Sequence, residues 1–107
     1  MKSRLDQITD WEDRVRLADY RVKKLAELCG STTRQLERYF GEKFRIAPHV
    51  WMDQLRLRDV EARLASGELA KNLTEEVGFS HAAYFSYWCK RHSGHGLGDL
   101  IRTLVKG

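Results

Sequence analysis

The 107-residue sequence contains little that would interrupt or cross-link a chain. Proline occurs once, at Pro48, and the glycines are few, at 30, 41, 67, 78, 94, 96, 98 and 107. Punctuation this sparse argues against a loop-rich fold and for helices joined by short turns. The two cysteines, Cys29 and Cys89, lie far apart with no CxxC pair. That excludes a disulfide framework and fits core packing in a reducing compartment. No uncharged stretch approaches the roughly 20 residues that span a bilayer. Met1 to Asp10 has no apolar core of the signal-peptide kind. The expectation is a cytoplasmic protein that does not associate with membrane. The length excludes a TIM barrel, and equally a dinucleotide domain with a substrate domain beside it.

What is present is globular in character: 42% hydrophobic and 32% charged residues. Nineteen Lys and Arg against fifteen Asp and Glu leave a net charge of +4. This mild excess permits a polyanion partner without establishing one.

Apolar spacing predicts about seven helices and an all-α fold. Leu5, Ile8, Trp11 and Val15 form one stripe over residues 5–17. A short helix follows from about Val22 to Cys29, with Leu25 and Leu28 facing inward, Ala26 allowing close approach, and Gly30 as the stop. Thr32 with Gln35 three residues later is a capping box that starts a helix at Thr33. Leu36, Tyr39, Phe40 and Phe44 are its apolar face. Pro48 suits the first turn of a helix running to about Ala65. At 1.5 Å per residue that helix is a rod of roughly 27 Å. A short helix from about Leu69 to Val77 stops at Gly78. Ser80 is placed to cap another from His81 to about His92. After a loose turn at Gly94, Gly96 and Gly98, a last helix spans about Asp99 to Val105.

The halves repeat. Leu25-x4-Gly30 matches Leu73-x4-Gly78, and Leu36, Phe40, Trp51 and Leu55 match Phe85, Cys89, Leu100 and Leu104 with one residue inserted. Short helix, glycine turn and longer helix, repeated, read as a duplicated helix-turn-helix. The expected division is 1–47, 48–66 and 67–107: two helix-turn-helix subdomains joined by a long linker helix. In such a motif the second helix enters the major groove and its first residues touch base edges. Thr33, Arg34, Glu37 and Arg38 occupy that place in the first copy. Arginine pairs bidentately with guanine, and glutamate accepts from cytosine N4. Lys43 and Arg45 follow as candidate phosphate contacts. B-DNA repeats about every 34 Å, a span that a rod of that length with packing at each end can match in order of magnitude.

From about Leu17 to Thr103 the chain resembles the DNA-binding domain of AraC/XylS transcription regulators. Residues 77–94, VGFSHAAYFSYWCKRHSG, resemble the family's second-motif pattern G-F-s-x-x-S-Y-F-s-r-x-F-K-x-x-x-G. Leu25 to Phe40 resembles L-A-x-x-x-g-x-S-x-x-x-L-x-R-x-F, and Ala47-Pro48 with Trp51 and Arg56-Leu57 resembles S-P-x-x-Y-x-x-x-x-R-L. The resemblance implies a double-stranded DNA partner, bacterial transcription regulation as an activator, no cofactor, contact with RNA polymerase as a further option, and a monomer if the sequence is complete. Carried over by position, the base readers are Thr33, Arg34, Glu37 and Arg38, then His81, Ala82, Ala83, Ser86 and Tyr87. Lys90 matches the family lysine, and it and Arg91 are candidate phosphate contacts.

The chain also departs from the pattern. Thr74 stands for a small alanine, Cys89 and Ser93 for core phenylalanines, and Gly96-Leu97 for the Thr-Pro that opens the last helix. Arg45 stands for a glycine and Tyr87 for a common arginine. The expectations are a less stable second half and sequence readout dominated by the first.

Other chemistries fit less well. Cys89, His92 and His95 lack the fourth ligand of a structural zinc site. There is no phosphate-binding glycine loop, nucleophile elbow or HExxH, so no enzyme is expected. The rival reading is a protein-interaction module that docks on polymerase or another regulator through Tyr84, Tyr87 and Trp88, with weak DNA binding.

Overall fold

A computed structural model describes residues 4–106. Among them all regular structure is helical: a 3₁₀ turn at Arg4–Gln7, then α1 (Trp11–Leu17), α2 (Val22–Leu28), α3 (Thr33–Lys43), α4 (Pro48–Ala65), α5 (Ala70–Glu76), α6 (Ala82–Ser93) and α7 (Leu97–Lys106). The chain divides into two compact units, one ending at Leu55 and the other beginning at Arg56. The boundary falls within α4. Met52 and Leu55 are buried in the first unit, Val60 and Leu64 in the second.

Phe40 is the centre of the first unit. It is fully buried, with Trp11, Phe44 and Trp51 rings 5.0, 4.9 and 5.6 Å from its own. Most of these pairs meet edge-on, the arrangement that aromatic quadrupoles favour. Leu25, Leu36, Val15 and Met52 are among the aliphatic side chains buried with it.

In the second unit Leu73, Val77, Phe79, Phe85, Trp88, Cys89 and Leu100 are buried. Arg56 is half-buried against this unit's core. Its Nε donates to the Val77 carbonyl at 2.7 Å, and its guanidinium lies 3.6 Å from the Phe79 ring centroid. The cation meets the negative ring face and at the same time satisfies a carbonyl at the end of α5. Arg63 closes the α4–α5 turn through Glu68, both nitrogens at 2.8 Å, and through an ion pair with Glu76. This guanidinium holds the Glu68 carboxyl below its usual range.

Several expected details are corrected. The stripe over 5–17 is not one helix: a 3₁₀ turn ends at Gln7, and Asp10 takes the N-cap position of α1. Aspartate competes with helix interiors and favours their starts. Leu28 is 49% exposed rather than inward. The buried arc of α2 runs through Leu25, Cys29 and Ala26, and Leu28 falls roughly 110° from its middle at 100° per residue. Ser80 does not cap α6: His81 occupies the N-cap, extended at φ −137°, with no side-chain cap bond. In place of the loose glycine turn, only Gly94 adopts a left-handed cap, and Gly98 lies inside α7.

Three of the departures from the family pattern, Thr74, Cys89 and Ser93, sit in the second unit as small or polar groups. Cys89, the repeat partner of Phe40, is fully buried, and Trp88 is buried as well, its ring against Phe79. Buried Thr74 donates its hydroxyl to the Ala70 carbonyl at 3.2 Å, and Ser93 donates to the Cys89 carbonyl at 2.6 Å. These hydroxyls satisfy themselves locally and add no apolar burial. Amide hydrogen exchange is therefore expected to show lower protection over α5–α7 than over α2 and α3. Equal protection in both would contradict this reading of the core.

Candidate nucleic-acid interface

Each unit contains the same helix-turn-helix connection. In the first, Gly30 is left-handed at φ +64°, Ser31 N–H donates to the Ala26 carbonyl at 2.9 Å, and Gly30 N–H donates to Glu27 at 3.1 Å. In the second, Gly78 is at φ +82°, Phe79 N–H donates to Thr74 at 2.8 Å, and Gly78 N–H donates to Glu75 at 2.9 Å. The long bond that spans the cap, with a left-handed glycine before its donor, is the Schellman ending. Glycine is favoured there because a β-carbon would strain that φ.

The start of α3 is built by the capping box read in the sequence. Gln35 N–H donates to Thr32 Oγ1 at 3.1 Å, and Thr32 N–H donates to Gln35 Oε1 at 3.0 Å. Leu36, Tyr39 and Phe40 point inward, so Thr33, Arg34, Glu37 and Arg38 are all exposed. Among the described residues Arg34, Glu37 and Arg38 form no ion pair, although Glu37 lies between the two cations in sequence. Two guanidiniums one turn apart are thus left with their donor forks unused.

Lys43 ends α3, and Arg45 follows it, both exposed. Arg45 is left-handed at φ +59°, and its repeat partner Gly94 is left-handed at φ +80°. The same turn therefore carries a side chain in one unit and none in the other. A non-glycine residue there costs about 1–2 kcal/mol.

In α6, His81, Ala82 and Ala83 are exposed at the start, Ser86 is half-buried and Tyr87 is 60% exposed. Lys90 and Arg91 are exposed in its last turn and form no ion pair among the described residues. Trp88 is buried with His92 stacked on it at 4.4 Å, so it is a core residue. Tyr84 rests one ring against Phe79 and remains 55% exposed. The four outward positions of α3 carry two cations and an anion, while α6 offers mainly methyl, hydroxyl and phenol groups.

Burial pushes the Cys89 thiol up to about 11. Burial also raises Cys29, against a hydrogen bond from Arg14. Neither is a ready thiolate. Among the described residues no three His, Cys, Asp or Glu side chains gather as a metal would need. No helix there is long and apolar enough to cross a membrane.

Sequence reasoning did not find the role of Arg56. Its partners Val77 and Phe79 lie more than twenty residues away, and no local spacing signals them.

A family model described as a helix-turn-helix domain matches residues 25–103, which takes in both connections and both longer helices. No curated protein and no solved structure matches the chain. The paired glycine turns and the family match agree: the chain belongs to the AraC-type helix-turn-helix family of DNA-binding transcription regulators.

Proposed function

We propose that the protein is a sequence-specific regulator, an activator, that inserts α3 and α6 into successive major-groove segments of double-stranded DNA. The observation that carries this reading is the outward face of α3. A helix start fixed by reciprocal caps presents two uncommitted guanidiniums and a carboxylate at the positions that meet base edges. Arg34 and Arg38 read guanine edges, Glu37 reads a cytosine amine, and Thr33 adds a hydroxyl. In the second motif His81, Ala82, Ala83, Ser86 and Tyr87 fit the groove mainly by shape and methyl contact. Lys43, Arg45, Lys90 and Arg91 hold phosphates and supply the salt-dependent part of affinity.

The strained backbone of Arg45 supports its share of this role. A side chain stands there where glycine would be easier, and it is exposed beside the end of α3. Arg45→Gly is expected to raise fold stability by about 1 kcal/mol. The same change lowers the salt slope of DNA binding by about 0.9. Thermal melts and a salt titration check the two halves together. A variant that gains stability with an unchanged slope would remove Arg45 from the interface.

The exposed Tyr84 and Tyr87 favour one other reading, a face that docks on polymerase. Binding to a random-sequence duplex at several salt concentrations separates the two. DNA binding predicts affinity that falls steeply between about 50 and 200 mM salt. Absent or salt-insensitive binding would favour the docking role.

A further inference from the structure

The 3₁₀ turn at Arg4–Gln7 lies outside the residues the family model matches. It is nonetheless anchored to the first motif. Leu5 is buried in the core, and the Tyr39 hydroxyl donates to Asp6 Oδ1 at 3.0 Å across the first unit. Burial and the neighbouring Asp6 both push the Tyr39 hydroxyl up, which keeps it a proton donor. These anchors carry Arg4 onto the α2–α3 turn. Its Nη1 stands 3.3 Å from where a β-carbon on Gly30 would sit.

Arg4, Ser31, Gln35, Arg38 and Glu42 line a cleft beside α3. Its lining includes two arginines and one glutamate, and among the described residues neither arginine forms an ion pair. Gln35 Oε1 is occupied by the Thr32 N–H, which leaves the amide N–H₂ of Gln35 as a donor. Ser31 Oγ donates to the Thr32 carbonyl at 2.9 Å. A net positive cleft with guanidinium forks and an amide donor suits a phosphodiester oxygen. Arg38 belongs to both the cleft and the outward face of α3, so the cleft borders the proposed groove contact.

We propose that this cleft receives a phosphate of the DNA strand flanking the groove read by α3. Arg4 is its cationic ligand, and the Tyr39–Asp6 bond is the tether that positions it. The proposal rests on the reading of α3 as the DNA-facing helix. Arg4 itself lies outside the helix-turn-helix.

The test uses the full chain, a random-sequence duplex and the variants Arg4→Gln, Tyr39→Phe and the two combined. Circular dichroism melts confirm that each is folded. Arg4→Gln is expected to weaken binding about eightfold at 0.1 M salt relative to its effect near 1 M, with the salt slope reduced by about 0.9. Tyr39→Phe should lower affinity in the same direction, and should add nothing once Arg4 is gone. A wild-type slope in Arg4→Gln would overturn the proposal, as would full additivity of the two changes. If wild type binds duplex through Arg34 while Arg4→Gln is silent, only the cleft is lost. If wild type does not bind duplex at all, the reading of α3 falls first and the cleft with it.

Discussion

Phe40→Ala is expected to destabilise the first unit by about 3–5 kcal/mol, the range for large aromatic truncations in packed cores. Phe40 is fully buried and touches aromatic rings contributed by α1, α3 and α4 together with Phe44 just beyond α3. Its removal leaves Trp11 and Trp51 without the ring that both pack against edge-on. Those neighbours belong to different helices, so they cannot close the gap without moving the helices themselves. A loss of this size is a large fraction of the ~5–15 kcal/mol that holds an ordinary domain together. Chemical denaturation followed by tryptophan fluorescence measures it, since Trp11 and Trp51 border the cavity. A loss under about 1 kcal/mol would mean that the cluster is not the centre of the unit.

The second large effect falls on recognition. Arg34→Ala is expected to reduce the preference for a selected site over random duplex by about 10–100-fold, the scale of one bidentate guanine contact. Fold stability should change little, because the Arg34 side chain is exposed and forms no ion pair among the described residues. Tyr87→Ala should shift the same preference by less than about threefold, because apolar contact in the groove discriminates less than a bidentate pair. The informative comparison is of preference, not affinity. Loss of a phosphate contact weakens all sequences alike, whereas loss of a base contact flattens the difference between them. If Tyr87→Ala flattened the preference and Arg34→Ala left it intact, readout would reside in the second motif instead.

The parts of this structure that were legible in the sequence are those encoded within four or five residues. The Thr32–Gln35 box and the glycines at 30 and 78 specify their turns through bonds between near neighbours, and each appears as read. The outward face of α3 was legible for the same reason, since Leu36, Tyr39 and Phe40 define its opposite. Leu28 was misread because two inward positions three apart fit several arcs, and only the packing of Ala26 and Cys29 selects one. Residues 5–17 kept their apolar stripe but not their helix, because Asp10 prefers a helix start to a helix interior. Ser80 was one residue too early, since only the backbone angle of His81 decides where α6 begins. The bond of Tyr39 to Asp6 and the seat of Arg56 on Phe79 link distant segments, and no periodicity reports such pairs. Arg45 was visible as a departure from the family's glycine. Its left-handed backbone shows what that departure costs, a side chain at a φ that glycine adopts more easily.

Selection of binding sites from random duplex DNA at near-physiological salt tests the central claim most directly. The account predicts two enriched patches about one helical turn apart, with the sharper one carrying the guanines read by Arg34 and Arg38. A single enriched patch lost in Arg34→Ala would restrict readout to α3 and remove α6 from it. No enrichment from a chain shown to be folded would contradict the claim that the exposed face of α3 reads sequence.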